Sequence, residues 1–212
     1  MAKFPRPKVG QQLPELQAND IITIPSERIL WRIYNRRGEY PVKWYDFRYF
    51  GPTASRFDHQ LRDAEQNSFL QDRGIMYVGH NGPVCVAEFF QVSRVIDRHF
   101  REPWLVGFKP LRPLKLLNLK SLFVTRVGTS TAINSGPKKR ARAWSRLFYE
   151  SYPQIDGLCY GSSMHNYDDS FALYERALDA IPESPHFHSA LSDRRMEKIL
   201  FKVSVNINYR IV

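Results

Sequence analysis

The stretch GIMYVGHNGPVCVAEFF, residues 74–90, decides between fold classes. Its first six residues carry β-branched, aromatic and long apolar side chains between two glycines and read as a strand. Asn81, Gly82 and Pro83 then form a helix start: asparagine supplies a side-chain acceptor at the N-cap, and proline in the first turn has no amide hydrogen to leave unpaired. The run that follows is apolar or small except for Glu88. On helical spacing Cys85, Phe89, Val92 and Ile96 share one stripe, and Glu88 projects roughly 70° from its centre, flanked by Val84 and Val95. A carboxylate in such company is costly unless it reaches water or faces a cleft. The edge of the stripe allows the second arrangement, with the rest of the helix anchored in a core.

Working outward, ILWRIY (residues 29–34) is a strand candidate with Arg32 in its middle. FGPTASRFDH (residues 50–59) opens with turn residues and leads to Arg56, and residues 58–72 are polar and weakly helical, the pattern of a mobile connection. Residues 1–25, rich in proline and polar groups, read as an N-terminal arm packing over a domain that spans 26–212. Downstream, WLVGFK and LKLLNL read as strands separated by a turn at Pro110 and Pro113. Residues 137–152 read as a helix with Ala141, Trp144, Leu147 and Phe148 on its apolar face. IDGLCYGSS (155–163) follows as strand then turn, FALYERA (171–177) as a short strand or helical turn, and ILFKVSVNINYRIV (199–212), by its alternation, as a closing strand. Strands outnumber helices in a mixed order, which predicts a single α+β domain of mixed β-sheets and flanking helices.

The composition, 212 residues with 43% hydrophobic and 25% charged, suits one globular domain with its own core. The first residues hold no apolar signal-like run and no segment approaches the ~18 apolar residues of a membrane span, so the expectation is a soluble, cytoplasmic protein with no membrane partner. Cys85 and Cys159 sit alone in apolar segments, as reduced core thiols do. A net charge of +10 predicts anionic partners. The densest basic run, Lys138, Lys139, Arg140 and Arg142, fits either a solvated helix face or a docking site for phosphate or a partner. The glycine-rich dinucleotide and P-loop signatures, HExxH and GxSxG are all missing. His186 and His188 have no acidic or cysteine ligand beside them, so neither zinc, magnesium nor a flavin is implied.

Five polar residues lie in strand-like or core-like stretches: Arg32 in LWRIY, Arg56 in SRFD, Tyr77 in IMYVG, Glu88 in VAEFF and Ser162 in CYGSS. Each alone has an ordinary structural explanation. Together, WRIY, FGP…SRFDH, RGIMYVGHNGPVCVAEFF and DGLCYGSS resemble the RES domain family, named for its Arg, Glu and Ser residues, over residues 29–177. The resemblance implies an ADP-ribosyltransferase-like fold and an NAD-destroying toxin of a type II toxin-antitoxin pair. It further implies an acidic or Xre-type antitoxin as partner, with nucleic acid reached only through that antitoxin. Arg32, Glu88 and Ser162 become the name-giving residues, with Arg56 and Tyr77 completing the pocket. The chain departs from compact members in a longer N-terminal arm and a longer insertion between Arg56 and Tyr77. Ser163 follows Ser162 where a basic residue is usual, so Ser163 stands as an alternative family serine, and a free-standing effector without an antitoxin stays open.

These residue types suit that chemistry. Cleavage of the nicotinamide glycosidic bond passes through an oxocarbenium-like ribosyl group, which a carboxylate such as Glu88 stabilises. Arg32 and Arg56 offer guanidinium forks for the pyrophosphate, Tyr77 an aromatic wall, and Ser162 or Ser163 a short hydrogen-bonding group for the ribose or carboxamide. NAD is then substrate, and the acceptor is water, inorganic phosphate as co-substrate, or a macromolecule. The last case is an ADP-ribosyltransferase, and a third reading is a basic nucleic-acid-binding or RNA-cleaving toxin using residues 138–142. The apolar fraction allows a homodimer.

Overall fold

The computed structural model describes residues 4–212, so the first three residues of the expected arm lie outside the described residues. In chain order the elements are β1 (Ile21–Ile24), β2 (Leu30–Asn35), β3 (Arg48–Gly51), β4 (Phe69–Gly79), α1 (Gly82–Phe89), β5 (Val95–Ile96), β6 (Pro103–Phe108) and β7 (Leu114–Asn118). The second half adds α2 (Phe123–Arg126), α3 (Lys138–Ser151), β8 (Gly157–Gly161), β9 (Asp169–Tyr174), β10 (Phe187–Ala190), α4 (Glu197–Ile207) and β11 (Arg210–Ile211). Nine strands form one mixed sheet in the order β1-β7-β8-β9-β4-β2-β6-β10, with β3 on β4; β5 and β11 make a separate parallel pair. Within the large sheet, among the described residues, only β7 and β8 run parallel. The chain is thus the α+β domain its mixed element order predicts.

The sheet is built on β4, whose alternation sends Ile75 and Tyr77 toward the core beneath α3 and Met76 and Val78 toward the opposite core. Trp144, Phe148 and Ala141 of α3 are buried in the first of these, with Phe57, Tyr160 and Tyr174. A third cluster joins Cys85 and Val86 of α1 to Leu200 and Val203 of α4 and to Ile96. On one side β4 keeps a continuous register with β9, from Ile75 against Tyr174 to Gly79 against Ser170. On the other it meets β2 at a single pair, Trp31 with Gly79, while β2 pairs along its whole length with β6. Beyond that one pair the sheet splits.

Three expectations are corrected. Residues 199–212 form most of α4 and the short β11 instead of one closing strand. The alternating Ile199, Phe201 and Val205 are exposed, and burial falls on Leu200, Val203 and Ser204, a helical spacing. Residues 58–72 are no mobile connection: Asp58, His59 and Gln60 are completely buried, and the last four residues already belong to β4. Helix α1 stops at Phe89, so the expected stripe ends early: Phe89 and Val92 are exposed, and Ile96 is buried from β5. FALYERA resolves into the end of β9 followed by a 3₁₀ segment, Glu175–Ala180.

Candidate active site

The break between β2 and β4 opens into a cleft of about 400 Å³. Arg32 and Ile33 line it from β2, Tyr77, Val78 and Gly79 from β4, and Glu88 from α1. The segment 53–56 closes another wall with Arg56, and Tyr160, Ser163 and Lys138 also face the cleft, as do Cys85 and Gln91. Arg32, Arg56, Tyr77, Glu88 and Ser163 therefore meet around one space although they come from five separate segments. Ser162 is buried just behind the wall, with 1% exposure.

Local structure fixes Glu88. The Asn81 side chain accepts a hydrogen bond from the Val84 amide at 2.8 Å, which starts α1 at the expected place with Pro83 in its first turn. Gly79 lets the helix seat against the strand end, since a Cβ there would lie 2.9 Å from Cys85 Sγ and 3.1 Å from a Val84 methyl. Two turns on, Glu88 is half-buried in the last turn of α1. Ser162 Oγ donates to Glu88 Oε1 at 2.6 Å, and Gln91 Nε2 reaches Oε2 at 3.3 Å. Neutral donors thus hold the carboxylate in place and leave its charge unneutralised by them. Ser162 is itself oriented by the Met164 amide, which donates to its Oγ at 3.1 Å.

The arginines are aimed by backbone carbonyls, which orient a guanidinium without cancelling its charge. Arg32 Nη1 donates to the carbonyls of Trp44 at 2.7 Å and Asp46 at 2.9 Å. Burial pulls its pKa down to about 10, so the group stays cationic at neutral pH. Arg56 donates to the carbonyls of Gly136 and Ser135 ahead of α3. Its pKa is also lowered by burial, an effect the nearby Glu88 charge opposes.

Tyr77 presents its ring to the cleft, but its phenol is committed elsewhere: it donates to Asp58 at 2.9 Å and accepts from the Phe57 amide at 3.0 Å. Burial pushes that phenol well above its ordinary range and keeps it protonated. Asp58, which the sequence reading left unassigned, is a hub: it also binds Arg48 at 2.6 Å and the amide and hydroxyl of Thr53 at 2.6 and 2.8 Å. Tyr160, likewise unassigned, packs its ring 4.6 Å from Phe57 and lines the cleft with a phenol raised by burial and then by the Glu88 charge. The only available signals were the acid in SRFDH and the tyrosine beside GSS.

Cys85 lines the cleft yet is no candidate nucleophile, because its thiol donates to the Trp31 carbonyl and burial pushes its pKa up to about 12. Among the described residues, no three His, Cys, Asp or Glu side chains stand close enough together to hold a metal ion, and no helix is long and apolar enough to cross a membrane. The basic run divides by position: Lys138 faces the cleft, Arg140 donates to the Phe4 carbonyl, and Lys139 and Arg142 face another cavity.

The RES domain family model matches residues 29–192. The chain belongs to the RES domain family. This RES domain is similar in fold to the crystal structure of the M. tuberculosis MbcT-MbcA toxin-antitoxin complex, with a TM-score of 0.50 at 11% identity over 81% of this chain and 87% of that one. That likeness is one of fold, and it agrees with the single α+β domain expected from the sequence. No curated protein sequence matches this RES domain.

Proposed function

We propose that this RES domain cleaves the bond between nicotinamide and ribose in NAD. The carrying observation is the Ser162 to Glu88 hydrogen bond of 2.6 Å, made at the wall of a cleft that also gathers Arg32, Arg56 and the Tyr77 ring. In this reading the two guanidiniums bind the pyrophosphate, and Tyr77 and Tyr160 flank a planar ring. Glu88 accepts the ribose 2′-hydroxyl and faces the positive charge that develops at C1′. The C1′–N bond breaks with its electron pair passing to the nicotinamide nitrogen, which leaves neutral and needs no general acid. The acceptor oxygen then bonds to C1′ and loses its proton. Water gives ADP-ribose and inorganic phosphate gives ADP-ribose 1″-phosphate. Lys138 at the rim favours an anionic acceptor.

The fold likeness to a toxin-antitoxin complex supports a toxin role with a protein antitoxin covering the cleft. Purified protein incubated with NAD alone, with and without phosphate, is expected to release free nicotinamide, and the mass of the second product identifies the acceptor. NAD left intact in both buffers sinks this reading. Label from adenine-labelled NAD appearing on a lysate macromolecule supports the transferase reading instead.

A further inference from the structure

Behind the cleft wall lies a second cavity of about 670 Å³ whose charge is one-sided. Arg6, Arg62, Lys139, Arg142 and Arg146 line it, and among the described residues no carboxylate does. Lys139, Arg142 and Arg146 stand on one face of α3, about 160° around the helix from buried Ala141, Trp144 and Phe148. Among the described residues, none of the five cations forms an ion pair. The acid one turn beyond Arg146, Glu150, is engaged by Arg73 at 2.9 Å. Arg146 Nε is buried with no hydrogen-bond partner, and its Nη2 makes only a 3.4 Å contact with the Gln60 carbonyl. Gathering five like charges and leaving a buried guanidinium nitrogen unpaired both cost stability in the empty protein, and an anion removes both costs.

The lining selects the kind of anion. Four of the five cations are arginines, whose forks match phosphate oxygens, and the charge exceeds what one phosphate neutralises. Among the described residues, no aromatic side chain lines it to stack a nucleobase, and Pro52 and Ala143 are the only apolar ones, too few to anchor a peptide side chain. We propose that this cavity is a second anion site, distinct from the cleft, for a short phosphate chain of the tripolyphosphate class. The site does not depend on the NAD reading. Segment 52–56 separates the two spaces: Pro52 faces the cavity, residues 53–56 face the cleft, and Arg142 reaches across to donate to the Ser55 carbonyl at 3.1 Å.

Titration calorimetry at constant ionic strength tests this with inorganic tripolyphosphate, orthophosphate and ATP. Tripolyphosphate is expected to occupy a single site at least roughly tenfold more tightly than orthophosphate. ATP should bind comparably, because its base finds nothing to stack on. Arg62 and Lys139 are exposed, so the double variant R62E/K139E keeps the fold, and it should weaken tripolyphosphate by about tenfold or more. The same charge change at exposed Lys109 and Lys202, K109E/K202E, should alter affinity less than about twofold. Absence of tripolyphosphate binding overturns the proposal. So does equal weakening by the two double variants, or capture of single-stranded RNA or ATP without tripolyphosphate.

Discussion

Strand β4 has two unlike neighbours. Toward β9 it keeps five consecutive register pairs, and the residues there are sealed: Phe171, Ala172, Leu173 and Tyr174 are at most 1% exposed. Toward β2 it keeps one pair, and the residues beyond it face a cleft. The two flanks share a backbone yet have opposite tasks. A fully paired strand satisfies every backbone group internally and can be wrapped in apolar side chains. A parted pair gives up some of that satisfaction and gains a concave space into which arginines and a carboxylate project. Residues on the paired flank should therefore govern stability with little effect on turnover per folded molecule, and residues at the break should do the reverse.

The largest effect should come from the paired flank. Phe171→Ala empties a fully buried site and should cost about 3–5 kcal/mol of unfolding free energy in denaturant titration, with turnover per folded molecule unchanged. At the break, Glu88→Gln keeps the shape and removes the charge, so nicotinamide release should slow by on the order of 10² or more, about 2.7 kcal/mol, with the denaturation midpoint held. Ser162→Ala should slow release by roughly tenfold, seen in kcat more than in KM, and should add little in the E88Q background because it acts through that carboxylate. An S162A effect of equal size in E88Q would make Ser162 an independent contributor.

The smallest effect at neutral pH concerns His59, behind the paired flank. It is fully buried, stacked 4.2 Å from Tyr149 and edge-on 4.5 Å from Tyr174, with neither ring nitrogen in a hydrogen bond and Glu175 Oε2 3.7 Å from Nε2. Burial depresses its pKa below the ordinary 6.5. The unfolded chain then takes up the proton first as pH falls, so this contribution to stability is complete above about pH 6.5 and declines as pH drops toward the lower folded value. Melting curves from pH 7.5 to 5 should show that loss for the native protein, and a His59→Gln variant should lose less over the same interval.

How much of this was legible depended on where the deciding interactions lie. The Asn81 cap, the 74–79 strand and the Trp144 and Phe148 face of α3 rest on near-neighbour chemistry, and they stand where periodicity puts them. The α4 region misled because Ile199, Phe201, Val203 and Val205 alternate like a strand while the buried contacts follow Leu200 and Val203. Asp58 was invisible as a hub because its partners Arg48, Thr53 and Tyr77 converge only in three dimensions. Tyr160 was hidden because β8 is buried throughout, so nothing in its neighbours marks a residue at a cavity wall. The family motifs supplied Arg32, Glu88 and Ser162, and the cleft supplies what spacing alone does not, the hydroxyl held against the carboxylate.

The N-terminal segment is held in a way that bears on how freely it can change. Arg140 donates to the Phe4 carbonyl at 2.7 Å, Trp144 to that of Pro5 at 2.8 Å, and Tyr152 to that of Pro14 at 2.7 Å. All three donors are side chains of the folded body and all three acceptors are main-chain oxygens, which every amino acid carries. At these three points the segment is gripped by its path. Side chains add their own hold at Phe4, whose ring is buried, at Leu13 and Leu16, which pack against the core beneath α3, and at Gln11, whose Nε2 donates to the Val127 carbonyl at 2.9 Å; exposed positions between them, such as Val9, are open to rewriting.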